Sequence, residues 1–279
     1  AGTTWLYRQL DKLDSVRLPR PKELHYWNCV RSPFHEHFRL NARQRRLPAA
    51  PGNVWQALRL NLDSGYRKAR SEAELYQGIF DSGISDHDRY LDYLGVRAGG
   101  YRTFGDVTPA YALLGKETFA EMHACHDKVK FVFIMRDPVE RLWSGVRQRS
   151  RVDIRRGIIT DEQLYQRFME ALTDELHPDL LRSNYKRTIE ELEAGVPPES
   201  IHYAFFENIF HNETNEVEKL AEFLEVDRSV FRTEDVVHKR SNNNSPDSEA
   251  INRAEDALGL VYSFVRERFS DRVPEQWRR

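Results

Sequence analysis

The sequence predicts an α/β fold, a central parallel sheet flanked by helices in three layers. Two apolar runs, Val129–Met135 and Ile201–Phe206, have the length and composition of buried strands. Long helix-patterned stretches separate and follow them. Buried strands between long helices need crossover connections, which favour parallel pairing with helices on both faces.

The elements follow in chain order. Gly2-Thr3-Thr4 and the apolar run after it predict a glycine turn feeding a helix over about residues 4–12. The first N–H groups of such a helix point at an anion. Turns of this kind normally follow a buried strand and carry a basic residue, so both are expected before Ala1. Residues 40–65 are the least patterned, and Leu47-Pro-Ala-Ala-Pro-Gly-Asn53 marks a loop. Ser71-Glu-Ala-Glu74 is a capping box that predicts a helix over about 72–80, and a further helix is expected over 110–123. After the Val129–Met135 strand come a helix over 139–150, a capping box at Thr160–Gln163 opening a helix over 161–175, and a helix over 179–193. The Ile201–Phe206 strand precedes a helix over 214–224. Ser245-Pro246 reads as an N-cap with proline at the first helical position, opening a helix over 246–268. The chain reads as a single domain over 1–279, with 30–100 as an insertion that shapes a substrate cleft.

Composition narrows the function. Of the 279 residues 40% are apolar, and the net charge of −2 gives no bulk attraction to nucleic acid or to a membrane. No apolar run approaches the roughly 18 residues of a membrane helix. Cys29 and Cys125 are too few for a disulfide framework, so a reduced compartment, the cytoplasm, is expected. Two sequons, at Asn212 and Asn243, leave a secretory-pathway origin such as the Golgi lumen open.

The stretch Phe131–Arg149, FVFIMRDPVERLWSGVRQR, carries chemistry. A buried strand ends at Met135, Arg136 opens the turn, and Pro138 stops the strand before a helix. Ligands in such sheets bind at the carboxyl ends of the strands. Arg136 therefore stands where a phosphate is expected, and its planar fork suits one. Ser144, about two turns on, can offer a hydroxyl to the same group. The alternative is an arginine that caps the strand end by pairing with Asp137 or Glu140.

Taken together, these stretches resemble the PAPS-dependent sulfotransferase family, with its P-loop-like three-layer fold. The likeness is to the bacterial and heparan-sulfate-type enzymes. AGTTWL resembles the loop that holds the donor's 5′-phosphosulfate, and RDPVERLWSG the segment that grips its 3′-phosphate. LPRPKELHYW resembles the segment carrying a catalytic Glu, and FGDVTPAYALL the Gly-Glu-Lys-Thr-Pro-x-Tyr segment. SNYKRTIEEL, HYAFFENI and HKRS are similar to later segments of the family in the same order.

The resemblance implies roles residue by residue. Gly2, Thr3 and Thr4 would line the 5′-phosphosulfate of PAPS, and Trp5 would stack on its adenine unless it faces the core. Arg136 and Ser144 would hold the 3′-phosphate of PAPS and of the product PAP. Lys239 and Arg240 would belong to the loop that closes over the nucleotide. Glu23 would be the general base that deprotonates a hydroxyl or amine, with Lys22 and His25 tuning it or binding the acceptor. Val107 stands where relatives often carry a Lys that touches an acidic acceptor. The implied partner is a carbohydrate or small-molecule acceptor.

Two other classes compete. A P-loop small-molecule kinase or NTPase would need a Gly-Lys-[Ser/Thr] ending, and Gly2-Thr-Thr-Trp lacks it. A non-catalytic PAP-binding module on the same fold remains open, since fold does not fix function. No metal site is expected: His123-x-Cys125-His126 and His35-x-His37 do not repeat at structural-zinc spacing. Arg147, Arg149, Arg151, Arg155 and Arg156 form a basic stretch that either receives an anionic acceptor or is a solvated helix face.

Overall fold

The computed structural model describes residues 2–19, 22–32, 34, 36–37, 78–79, 87–95, 100–211, 215–233 and 246–277. The chain divides into two compact units, Ala1–Leu6 with Gly115–Arg279, and Tyr7–Leu114.

In the larger unit, strands Phe131–Met135 and Ile201–Phe205 pair in parallel, with Phe131 opposite Ile201 and Met135 opposite Phe205. This is the α/β arrangement that the two apolar runs predict. Both strands are most deeply buried at their carboxyl ends, Ile134-Met135 and Ala204-Phe205. Asp137 follows the first strand and caps the helix Pro138–Arg149: its Oδ1 accepts the Glu140 N–H at 3.0 Å. Pro138 at the first helical position has no N–H to leave unsatisfied. That helix buries Val139, Leu142 and Val146 in the main core, with Leu164 and Phe168 of the helix Asp161–Thr173. Tyr185, Tyr262 and Trp277 complete the same core. The Thr160–Gln163 capping box forms in both directions.

Several expected helices are broken in two. The 246–268 stretch is Ser248–Ala257 and Gly259–Phe269. Its N-cap is Asp247, whose Oδ1 accepts the Ala250 N–H at 2.8 Å, so Pro246 lies before the helix and not in it. The carboxylate supplies the acceptor that the expected serine cap would have provided. The 179–193 stretch is Pro178–Ser183 and Tyr185–Gly195, divided at Asn184, whose side chain caps the second helix through the Arg187 N–H. The 110–123 stretch is a short 3-10 turn, Pro109–Leu113, followed by the helix Lys116–Ala124. Polar caps and glycine interrupt what apolar periodicity alone reads as continuous.

The smaller unit holds a second parallel pair, Val16–Arg17 with Thr103–Phe104. It was not expected, because two residues carry no periodicity. Helices Tyr26–Arg31 and His87–Leu94 were likewise not foreseen. They meet through aromatic rings: Tyr26 and Tyr90 stack at 4.3 Å, and Trp27 sets its edge on Tyr90 at 5.7 Å.

Of the expected helix 72–80 only residues 78–79 are described, and both are helical. The Ser71–Glu74 box, the 40–65 loop, Asn212, Asn243, His35, Ser245, Lys239 and Arg240 lie outside the described residues. Among the described residues no helix is long and apolar enough to cross a membrane.

Candidate functional site

The helix Thr3–Leu10 starts from Gly2, whose φ of 64° lies in the left-handed region. Glycine reaches that region without strain. The Gly2 carbonyl accepts the Leu6 N–H at 2.9 Å, closing the first turn. Thr3 is half-buried and Thr4 exposed in that turn. Trp5 is 6% exposed: its ring lies against Phe210 and Phe231, and Nε1 donates to the Arg232 carbonyl at 2.9 Å. Of the two readings of Trp5, this packing is the core-facing one.

Arg136 leaves the sheet directly after Met135, and Phe206 directly after Phe205. The parallel register therefore brings Arg136 and Phe206 out side by side. The Arg136 guanidinium lies over the Phe206 ring, 5.3 Å from its centroid. The same ring faces Gly2: a Cβ built on Gly2 would stand 3.1 Å from Phe206 Cδ2 and 3.2 Å from Ile134 Cγ2. One aromatic ring thus touches both stretches that the sequence marked for the donor's anions.

The arginine's side chain is also paired. Its Nε and Nη2 donate to Glu140 Oε2 at 3.1 and 2.5 Å. Of the two carboxylates the sequence offered as partners it is Glu140, since Asp137 is occupied as a cap. Glu140 is half exposed, so this pair is a weak one that an anion can exchange. Ser144 is exposed on the same helix, one turn beyond Glu140.

The backbone of this turn is held firmly. The Tyr185 hydroxyl donates to the Arg136 carbonyl at 2.6 Å and accepts its N–H at 3.2 Å. Glu207 Oε1 accepts the Asp137 N–H at 2.9 Å, and Tyr262 donates to Asp137 Oδ2 at 3.1 Å. Burial pushes the Glu207 carboxyl up, against the Asp137 amide, which holds its charged form. Farther along, fully buried Asp179 takes Arg141, Arg149 and Arg182. Burial opposes its ionisation, but the three guanidiniums override that and hold the carboxyl below its ordinary range. Burial also lowers Arg141, to about 10. Gly145 is required here, because a Cβ would come within 2.7 Å of the Asp179 Cγ. Of the basic stretch 147–156, Arg149 is thus an exposed member of the ion cluster around buried Asp179.

In the smaller unit the candidate base lies in a chain of polar contacts. Lys22 Nζ is 2.7 Å from Glu23 Oε1, and His25 Nε2 is 3.8 Å from Glu23 Oε2. His25 Nδ1 lies 3.2 Å from Asn28 Oδ1, and Asn28 Nδ2 donates to the Ala110 carbonyl at 2.9 Å. That last bond orients the amide, so the oxygen faces the ring and Nδ1 carries a proton. His25 Nε2 is then the nitrogen that looks toward Glu23. Glu23 and His25 have φ of 65° and 59°. For side chains other than glycine this conformation costs roughly 1–2 kcal/mol each.

His123 Nε2 lies 3.3 Å from Ser200 Oγ, and Cys125 Sγ contacts the Met122 carbonyl. Among the described residues no three His, Cys, Asp or Glu side chains form a group suited to a metal. The sequence reading missed Phe206, Tyr185, Glu207 and Asp106. A signal existed only for the Phe206-Glu207 pair, which directly follows a buried strand as Arg136-Asp137 does.

The sulfotransferase domain profile matches residues 1–277. A sulfotransferase from Alicyclobacillus acidocaldarius has a similar structure, with a TM-score of 0.61 at 19% identity over 100% of this chain and 94% of the other. A sulfotransferase domain from the curacin biosynthetic pathway gives 0.52 at 16% identity, covering 93% of each chain. At these identities the likeness is one of fold. No curated protein matches the chain. With a family profile spanning nearly every residue and this α/β fold beneath it, the chain belongs to the sulfotransferase domain family.

Proposed function

We propose that this protein transfers a sulfuryl group from PAPS to a hydroxyl or amine of a carbohydrate or small-molecule acceptor. The observation that carries the reading is the Phe206 ring, which meets both Gly2 and Arg136. A glycine turn opening a helix and an arginine at a strand end are the two elements an anionic nucleotide needs. The residues fit such a donor. Gly2 gives backbone room where a Cβ would crowd Phe206, and Arg136 holds only a half-exposed carboxylate.

Gly2, Thr3 and Thr4 would hold the 5′-phosphosulfate, and Arg136 and Ser144 the 3′-phosphate. Trp5 would then support the helix start from beneath, consistent with its burial. Lys239 and Arg240 are proposed for a closing loop, and 30–100 for acceptor selection. The donor supplies the sulfuryl group. Glu23 takes the proton from the acceptor as its oxygen or nitrogen bonds to sulfur and the phosphate oxygen leaves with its electron pair. Lys22 pairs with Glu23 and holds its carboxylate in place, and His25 Nε2 stands next to take the proton onward. The compartment proposed is the cytoplasm.

The test is differential stabilisation. PAP should raise Tm by mass action, and ATP with magnesium, lacking a 3′-phosphate, should do much less. Equal shifts would favour the kinase reading. Sulfation of phenols, amino sugars or uronic oligosaccharides from PAPS separates an enzyme from a binding module.

A further inference from the structure

Outside the residues assigned so far, Asp106 stands out among the described residues of the smaller unit for the polar contacts it makes. Its carboxylate accepts the Thr108 hydroxyl at 2.7 Å, the Tyr111 phenol, and the Tyr90 hydroxyl at 3.5 Å. The backbone amide of Leu24 also acts on it, stabilising its charged form. The backbone amide of Trp27 acts in the same sense on the Tyr111 oxygen.

These two amides lie on either side of His25. Leu24 separates Glu23 from His25, and both of those residues are in the left-handed region. Trp27 lies in the first turn of the helix Tyr26–Arg31, whose N-cap is His25 with no capping bond from its side chain. A helix start without such a cap must satisfy its N–H groups elsewhere. A non-glycine pair at positive φ must be held by its surroundings. Asp106 and Tyr111 meet both needs from about eighty residues away in sequence. Leu24, with a fully buried side chain, seats the turn from the other side.

We infer that Asp106 and Tyr111 are positioning residues: a carboxylate–phenol pair that fixes the Glu23-Leu24-His25 turn and so aims the base and its histidine. The inference rests on the proposed role of Glu23 for its catalytic meaning, but not for its geometry. Tyr90 joins the pair to the aromatic stack through Tyr26. Burial pushes the Asp106 carboxyl up, and its four donors work against that by stabilising the charged form.

The experiment uses Tyr111→Phe and Asp106→Asn in the full chain, with three readouts. Amide exchange should speed up at least tenfold at Trp27 in Tyr111→Phe and at Leu24 in Asp106→Asn. The amides of Val132 and Ile134 in the main sheet should be unchanged. PAP affinity should stay within twofold of wild type, while kcat falls at least tenfold. Tyr111→Phe removes one oxygen only, and it decides the matter if Asp106→Asn fails to fold. Unchanged exchange at both amides, or a kcat within twofold of wild type in a variant whose turn has loosened, overturns the inference. If exchange rises as expected but Glu23→Gln keeps full turnover, the clamp stands and the proposed base is what fails.

Discussion

The Arg136 guanidinium and the Phe206 ring leave two parallel strands at adjacent register positions and stack at 5.3 Å. Stacking orients the fork, and Glu140 holds it until an anion competes. Arg136→Ala should weaken PAP binding at least tenfold, since a charge-assisted contact is worth about 1.5–3 kcal/mol. Glu140→Gln should leave PAP binding equal or tighter. Calorimetric titration checks both, and a loss of PAP affinity in Glu140→Gln would mean that the carboxylate orients the arginine instead of competing for it.

Gly2 should tolerate no side chain. Gly2→Ala forces a left-handed alanine against Phe206 and Ile134, so PAP binding should weaken severalfold. Phe206→Leu should recover part of the loss in the double variant. A cycle of the four proteins should give a coupling of about 0.5 kcal/mol or more. Additive effects would show that the ring and the turn act independently.

Glu23→Gln preserves shape but cannot take a proton. Turnover should fall about 10²–10⁴-fold with PAP affinity nearly intact. If most turnover survives, His25 becomes the base, its Nε2 being the nearest proton acceptor of that cluster.

Acid should expose a different residue. His202 stacks on Phe223, and its Nε2 has no hydrogen-bond partner among the described residues. Burial first, then Arg272 and Lys219, lower its pKa from 6.5 to about 4. As pH falls through this window the unfolded chain binds a proton that the folded chain refuses. Stability is therefore full above pH 6.5 and is lost toward about pH 4, at a slope approaching 1.4 kcal/mol per unit. Buried Glu207 and Glu216 are raised and act in the opposite sense, so the useful quantity is a difference. Thermal melts of wild type and His202→Gln from pH 7 to 4.5 should diverge, with the variant losing less. Parallel curves would refute the assignment.

Much of this was legible in one dimension. The strands needed only a run of apolar residues, and Arg136 only its place after one of them. Thr160 and Gln163 announced a helix start because capping is local. The breaks at Asn184 and Leu258 were harder, since apolar periodicity continues through them. Trp5 had two readings, because an indole at a helix start serves a core or a base equally well until its neighbours Phe210 and Phe231 are known. Nothing near Glu23 or His25 hinted at positive φ: neither is glycine or asparagine, and what holds them comes from residues 106–111. Long-range backbone bonds of this kind leave no local pattern to read.

The Asp106 contact also bears on how acceptor preference can be exchanged between relatives. A recombinant that takes residues 22–31 from one parent and 103–111 from another separates an amide from its acceptor, whatever lies between them. The two short segments form one heritable block. A shuffled library with crossovers in the intervening stretch should yield few active members unless both ends come from the same source, while crossovers after Gly115 leave the block whole.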